Sequence, residues 1–183
     1  MPRLNPIDPD KAEGKTKQVL DGLQKSLGMT PNIMRTLANS PAALQAYVGF
    51  LEALGGAGVD AQTREAIALT TSGANGCDYC AAAHTALGKM HGLTDAETGA
   101  NLIGQSSEPT RAAALRFARA VVDKRGWVSD RDLEAVRAAG FGDAGITEII
   151  ATVAATTFSN YFNHVAETDI DFPAVTVGEN RAA

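Results

Sequence analysis

Cysteine is scarce in this chain: only Cys77 and Cys80 occur among its 183 residues. Two thiols are too few for a scaffold held together by several disulfides. A single pair three residues apart, in the cytosolic setting that we expect, instead favours a catalytic, redox-sensing or metal-binding role over a static structural disulfide.

The chain also lacks long apolar runs and clusters of basic residues. No stretch approaches the roughly 18 consecutive apolar residues of a membrane span. The first ten residues, MPRLNPIDPD, contain early acids and no apolar segment, so we do not expect a secretory signal. The net charge of −5 and the absence of a Lys/Arg cluster argue against nucleic-acid binding. These features predict a soluble, cytoplasmic protein that binds neither membrane nor nucleic acid.

Length and patterning favour one all-α domain spanning residues 1–183. A chain of this size with 45% hydrophobic residues can bury one sizeable core. Helix caps and glycine stops recur, whereas alternating strand patterns are hard to find. The predicted helices form a multi-helix bundle and cover residues 9–27, 41–54, 61–73, 77–90, 95–103, 109–125, 130–139 and 144–166.

Two weaker patterns concern repetition and self-association. Aligning Glu148 with Glu65 places Asn160 and Asn163 on the two cysteines, which would make the chain a degenerate helical repeat. The apolar stripes of helices 41–54 and 109–125 supply more apolar surface than one small core needs, which predicts a homo-oligomer.

The chemistry-bearing residues lie between 60 and 93. Cys77 and Cys80 stand at the start of a predicted helix, where the helix N-terminus favours a thiolate. His84 follows Cys80 by four residues, so its imidazole would lie over the same helix face and could exchange a proton with that thiol. Glu65, on the preceding helix, could orient or charge the imidazole. Nucleophile, base and orienting group therefore each have one candidate.

Simpler interpretations exist for the same residues. The cysteines could be small buried apolar side chains, or could bind zinc with His84 and one further ligand, although the second Cys-x-x-Cys of a structural zinc site is missing. Glu65 beside Arg64 could be a solvated helix carboxylate. A glutamate and a histidine at these spacings favour the chemical interpretation, with no metal.

The pattern Glu65, Cys77-x-x-Cys80 and His84 resembles the alkylhydroperoxidase D-like branch of the carboxymuconolactone decarboxylase superfamily, in its peroxidase-related subgroup. Residues 62–93 carry the resemblance, and the segment from Asn163-His164 to Asp171-Phe172-Pro173 is similar to the tail of peroxidase-related members. Some relatives have a histidine where this chain has Tyr79, so a relay role for that histidine is not carried over. The decarboxylases proper lack the cysteine pair.

The resemblance implies an all-helical, cofactor-free thiol peroxidase that forms trimers or hexamers. Its substrate would be hydrogen peroxide or an organic hydroperoxide, and its reductant an external dithiol, a thioredoxin-like protein or a lipoyl protein. The relay roles fall on Glu65, His84, Cys80 and Cys77. We expect Cys80 to attack and the more exposed Cys77 to resolve, although helix-end geometry alone favours ionising Cys77.

The roles of three further residues and one alternative function stay open from the sequence. Tyr79 could wall the pocket, donate a hydrogen bond near the sulfurs or simply pack, and His164 could line an active site or be structural. Trp127 is expected to be a packing or interface anchor. The alternative function is a redox sensor or thiol-disulfide exchange module without significant peroxide turnover.

Overall fold

The computed structural model describes residues 1–175 and Val177, and in this part of the chain it contains nine α-helices and no strand. This confirms the predicted all-α class. After a short 3-10 helix at Pro9–Lys11, the helices are α1 (Gly14–Leu27), α2 (Asn32–Leu37), α3 (Pro41–Gly55), α4 (Ala61–Asn75), α5 (Asp78–Met90), α6 (Asp95–Leu102), α7 (Pro109–Asp123), α8 (Asp130–Ala138) and α9 (Asp143–Ala166).

Helix α4 lies at the centre and contacts α5, α6, α7 and α9. Its segment 66–73 is buried without interruption, so it has no solvent-facing side there. One apolar cluster joins α4 to α7, α8 and α9. A second cluster joins α1, α2 and α3 to the start of α5 and includes both cysteines and Tyr79. The cysteine pair is thus built into the apolar interior rather than onto the surface.

Two details at the N-terminal end differ from the sequence prediction. The expected helix 9–27 is divided: Asp8 caps only the 3-10 helix, and α1 starts again at Gly14, whose φ is +57°. Helix α2 was not predicted, because six residues after Pro31 show too little periodicity to identify a helix. It places Ile33 and Met34 in the cluster around the cysteines.

The sequence Thr94-Asp95-Ala96-Glu97 has the pattern of a capping box, but only half of the box forms. The Thr94 hydroxyl accepts from the Glu97 backbone at 3.2 Å, but the Glu97 carboxylate turns to Ser106 and Ser107 and lies 3.6 Å from Arg111. Hydrogen bonds from Ser107, despite partial burial, lower the pKa of Glu97 to about 2. This carboxylate therefore ties α6 to the start of α7 instead of closing its own helix.

The two predicted apolar stripes differ in how far they are buried. The stripe on α7 is used by the core, where Leu115 and Phe117 are buried, so it offers no surplus surface. The exposed large apolar side chains on α3 and α9 are Phe50, Ile150, Phe158, Tyr161 and Val165. Trp127 is 88% exposed, so its predicted packing role within the chain is wrong. Self-association stays a prediction.

The internal repeat also stays a prediction. The segment aligned with the α4–α5 hairpin is the single continuous helix α9, without a counterpart to the bend at Gly76. Glu148, the aligned partner of Glu65, accepts hydrogen bonds from the backbone N–H groups of Gly58 at 3.0 Å and Val59 at 2.8 Å. Its role in the structure is to hold the loop before α4.

Gly73 allows α4 to approach the end of α6. A Cβ at this position would overlap the carbonyl oxygen of Leu102 and lie 2.9 Å from its carbonyl carbon. Because both partners are backbone, we expect Gly73→Ala to lower the free energy of unfolding by about 2–3 kcal/mol or more, measured by urea denaturation.

The matched control is Gly99→Ala on α6, where an added Cβ meets nothing within 4 Å. An exposed Gly→Ala change inside a helix is expected to be neutral or to stabilise by up to about 1 kcal/mol. Equal stability of the two variants would contradict the proposed close approach.

Within the described residues, no single helix has both the length and the hydropathy needed to cross a membrane. The helices α8 and α9, which are bent relative to each other, reach that length and hydropathy only when they are taken together.

Candidate active site

A tight turn between α4 and α5 places the two sulfurs in the interior. Gly76 takes the left-handed conformation that ends α4, with φ of +68°, and the Cys77 N–H donates to the Ser72 carbonyl at 3.0 Å. Cys77 is the N-cap of α5, and its sulfur accepts from the backbone N–H of Cys80 at 3.4 Å. The cysteine predicted to start the helix is therefore its capping residue.

Glu65 and His84 form a hydrogen-bonded pair between α4 and α5. The Glu65 Oε2 to His84 Nδ1 distance is 2.8 Å, and both side chains are 17% exposed. Since a carboxylate accepts, Nδ1 carries the hydrogen and Nε2 is the nitrogen left for chemistry. Burial opposes the imidazolium, but the Glu65 charge and hydrogen bond outweigh burial and raise the pKa of His84. The predicted orienting role of Glu65 has the geometry that it needs.

Cys80 lies among groups that stabilise a thiolate. The Asn163 amide donates to its sulfur at 3.2 Å, and the Ser159 hydroxyl lies 3.8 Å away. Burial by itself raises the pKa of Cys80, but a hydrogen bond from the Cys77 thiol, the His84 charge and the amides of Asn160 and Asn163 together lower it to about 6. Cys80 therefore has the character of an attacking sulfur.

Cys77 has the opposite character. The hydrogen bond that the Cys77 thiol donates to Cys80 raises the pKa of Cys77, and burial raises it further. This thiol therefore stays protonated. The expectation that Cys77 is the more exposed sulfur is wrong: Cys77 is 1% exposed and Cys80 is 2% exposed. What distinguishes the two sulfurs is the cavity that each one lines.

Cys80 and His84 line an apolar cavity of about 390 Å³. Side chains of α1, α2, α3, α5 and the segment after α9 form its walls, among them Leu23, Met34, Leu51, Leu87, Met90 and Phe172. No hydrogen bond within the described residues joins His84 directly to Cys80. Both groups nevertheless face one space, where a bound molecule could contact the sulfur and the imidazole together.

Cys77 lines a different cavity of about 610 Å³ with both polar and apolar walls, here called the Cys77 cleft. Its walls also include Asp78, Asn163, His164, Glu167 and Thr168. The exposed His164 is therefore on the Cys77 side and does not line the apolar cavity. Tyr79 is the one described residue that lines both spaces.

Tyr79 fixes the segment after α9 rather than bonding the sulfurs. Its hydroxyl donates to Asp171 Oδ1 at 2.8 Å and accepts from the Ile33 N–H at 3.1 Å. The second carboxylate oxygen of Asp171 accepts from the Asn32 N–H at 2.7 Å. Burial raises the pKa of Tyr79, which keeps this donor protonated. The ring of Phe172 packs edge-on against Tyr79 and closes one wall of the apolar cavity.

Asn160 and Asn163 were not predicted as site residues. The Asn163 amide donates a hydrogen bond to the Cys80 sulfur. The Asn160 side chain accepts a hydrogen bond from the Asn75 amide at 2.8 Å and donates one to the Ser72 hydroxyl at 3.3 Å. The signal in the sequence was two amides on the buried face of an otherwise apolar helix, since a buried polar group requires a partner. The identity of that partner depends on the crossing of α5 and α9.

The thiolate of Cys80 should be directly measurable. We expect the absorbance near 240 nm of the reduced protein to titrate with an apparent pKa of about 6. Asn163→Ala removes an amide hydrogen bond to the charged sulfur, so the midpoint should rise by about one unit. Val153→Ala, also buried on α9, should lower stability without moving the midpoint. An unchanged midpoint in the Asn163 variant would contradict the assignment.

The helical fold, the Cys-x-x-Cys pair and the Glu–His pair are the features expected from the resemblance to alkylhydroperoxidase D-like proteins. The family model of the carboxymuconolactone decarboxylase family matches residues 41–124. No curated protein matches the sequence. This match covers slightly less than half of the chain and confirms the predicted resemblance to the alkylhydroperoxidase D-like/carboxymuconolactone decarboxylase superfamily.

Solved structures agree with this placement. A peroxidase-related protein from Ralstonia eutropha JMP134, described as an alkylhydroperoxidase AhpD core, is 26% identical with a TM-score of 0.86, covering 93% of this chain and 92% of that chain. A peroxidase-related protein from Silicibacter sp. TM1040 is 22% identical with a TM-score of 0.80, covering 91% and 92%.

A protein with a different activity has the same fold. A variant of the debrominase Bmp8 in complex with 2,3,4-tribromopyrrole is 21% identical with a TM-score of 0.80, covering 92% of this chain and 91% of that chain.

In the part of the chain that the structure describes, no group of three or more His, Cys, Asp or Glu side chains could hold a metal ion.

Proposed function

We propose that this protein is a thiol-dependent peroxidase in which Cys80 attacks, Cys77 resolves and the Glu65–His84 pair supplies the proton. The observation that carries the proposal is the placement of Cys80, whose sulfur accepts from Asn163 and whose pKa is lowered, on the same apolar cavity as the His84 imidazole held by Glu65. A thiolate, an acid and a binding space are the three parts that peroxide reduction requires.

The proposed reaction begins with attack of the Cys80 thiolate on the terminal peroxide oxygen. The O–O bond breaks, the leaving alkoxide takes a proton from His84, directly or through one water, and Cys80 becomes a sulfenic acid. The Cys77 sulfur then attacks the Cys80 sulfur and displaces its hydroxide. The hydroxide takes the proton of the Cys77 thiol and leaves as water. The products are an alcohol, water and a Cys77–Cys80 disulfide, so the two cysteines supply both electrons.

The walls of the cavity favour an organic hydroperoxide over hydrogen peroxide. Apolar side chains surround Cys80, and a substrate with an apolar body would gain binding energy from covering them. The remaining partners of this proposal are an external thiol reductant and further copies of the chain as a trimer or hexamer. A cytoplasmic location would keep that reductant available.

The test is a single-turnover comparison of cumene hydroperoxide with hydrogen peroxide on the reduced protein. We expect disulfide formation to be one to two orders of magnitude faster with cumene hydroperoxide, because burying an aromatic group contributes on the order of 2 kcal/mol. Stopped-flow mixing with acid quench and thiol labelling measures the rate.

A pair of variants localises the effect. Ala83→Leu narrows the apolar cavity and should slow cumene hydroperoxide more than hydrogen peroxide, whereas Ala96→Leu makes the same change at an exposed position of α6. Disulfide formation without any catalytic turnover, when several thiol reductants are supplied, would favour the sensor or exchange function. Failure to form the disulfide at all would contradict the peroxidase proposal.

Reductive dehalogenation of an aromatic ring is a second candidate. The apolar cavity at Cys80 suits a halogenated ring, and the fold is shared with the debrominase Bmp8. Cys80 would take the bromine from carbon, the carbon would take a proton, and Cys77 would release bromide by closing the disulfide. Bromide release from 2,3,4-tribromopyrrole, one per disulfide formed, would support this activity.

A further inference from the structure

We propose that the Cys77 cleft is the binding site for the thiol that reduces the disulfide, and that it selects neutral or cationic thiols over carboxylate-bearing ones. The inference rests on the proposed function and adds a second route by which a molecule reaches the cysteine pair. The oxidising substrate would reach Cys80 through the apolar cavity, and the reducing thiol would reach Cys77 through the cleft.

The direction of attack supports two entrances. A thiolate displaces one sulfur of a disulfide along the extension of the S–S bond, from the side away from the leaving sulfur. Cys80 lines the apolar cavity and Cys77 does not, while Cys77 lines the cleft and Cys80 does not. A thiol that attacks Cys77 with Cys80 as the leaving group therefore has to approach from the cleft.

The chemistry of the leaving group fits the same direction. Attack at Cys77 forms a new S–S bond to the reductant, breaks the Cys77–Cys80 bond and releases Cys80 as a thiolate beside Asn163. A second thiol then attacks the reductant sulfur of this mixed disulfide. Cys77 leaves and takes a proton, the reductant is oxidised to its disulfide, and both protein thiols are restored.

The cleft also holds unused hydrogen-bonding groups. Among the described residues, the Asn163 Oδ1 and Thr168 Oγ1 atoms have no hydrogen-bond partner, although the two residues are only 4% and 9% exposed, and both residues line the cleft. Buried polar atoms without partners are uncommon in proteins. An amide oxygen and a hydroxyl beside a reactive sulfur are suited to a polar ligand that donates a hydrogen bond.

The charges of the cleft select among thiols. Asp78 and Glu167 line it, Glu167 pairs with Arg3 at 2.8 Å, and the described lining residues include neither Lys nor Arg. Asp78 Oδ1 accepts from the Val177 N–H at 3.0 Å, and no cation among the described lining residues would offset its charge toward an anionic thiol next to Cys77. A neutral or cationic thiol with polar substituents is therefore the expected ligand class.

The first test measures reduction alone, on disulfide formed with diamide, so that it does not depend on peroxide activity. His164→Trp adds bulk at an exposed wall of the cleft, and Val165→Trp adds the same bulk at the next exposed position, which lines neither cavity. With cysteamine and acid-quenched thiol labelling, we expect His164→Trp to slow reduction about tenfold or more and Val165→Trp to leave it unchanged.

Met90→Trp completes this test, because Met90 lines the apolar cavity. It should slow oxidation by cumene hydroperoxide and not reduction by cysteamine. If Met90→Trp slows reduction and His164→Trp does not, the reducing thiol enters through the apolar cavity and the proposal is wrong. Failure of the peroxidase proposal would instead appear as absent oxidation by hydroperoxide with normal reduction of the diamide-formed disulfide.

The second test compares cysteamine with 3-mercaptopropionate, which are similar in size and opposite in charge. Expressed per thiolate, cysteamine should be about fivefold faster or more, and Asp78→Asn should narrow that ratio about twofold. Asp130→Asn, at the equivalent first position of α8, should leave the ratio unchanged. Equal rates for the two thiols on the unaltered protein would overturn the charge selection.

Discussion

Cys80→Ser is expected to abolish hydroperoxide consumption, with a loss of at least about three orders of magnitude. The serine hydroxyl does not ionise near neutral pH, so the Asn163 amide and the His84 charge have no anion to stabilise. The residual hydroperoxide is measured with the dithiol-reduced protein, and thermal unfolding of the variant shows that its fold is retained.

Cys77→Ser should give a different result. The variant lacks the resolving thiol, so it should consume about one hydroperoxide per chain and stop, leaving Cys80 as a sulfenic acid that dimedone traps for mass spectrometry. A sulfenic acid on Cys77 in the Cys80 variant, formed as fast as in the unaltered protein, would reverse the assigned roles.

Glu65→Gln is expected to lower the hydroperoxide rate at pH 7 by about 10- to 100-fold. Without the carboxylate the pKa of His84 falls, because the charge and hydrogen bond that raise it are lost. A neutral imidazole no longer favours the Cys80 thiolate, so the pKa of Cys80 rises from about 6. The pH–rate profile should therefore shift to higher pH, with much of the thiolate recovered by about pH 9.

Glu148→Gln provides the control for that experiment. Glu148 is another hydrogen-bonded glutamate, but its partners are the backbone N–H groups of Gly58 and Val59. This variant should lose stability by about 1 kcal/mol and keep both the pH–rate profile and the Cys80 titration. A shift of equal size in the two glutamate variants would show that the effect of Glu65 is not local.

The sequence predicted most helices because their caps are local. Asp60, Ser40 and Ser129 accept from backbone N–H groups two or three residues into their helices, and such contacts depend only on spacing. The same local rule failed at Glu97, since a carboxylate with partners on another segment does not close its own helix. Helix α2 was missed because its burial, and not its periodicity, holds it in place.

What the sequence by itself determined is the chemistry available. The spacing of Cys77, Cys80 and His84 places them close together at the start of one helix. The capping pattern determines where that helix begins. Only the tertiary structure shows which sulfur has surroundings that stabilise a thiolate. The crossing of α9 brings Asn163 to Cys80 from 83 residues away, and the segment holding Asp171 and Phe172 closes the apolar cavity. The two sulfurs line separate cavities, and the walls of those cavities come from segments that are distant in the sequence, so packing between those segments decides what each sulfur faces.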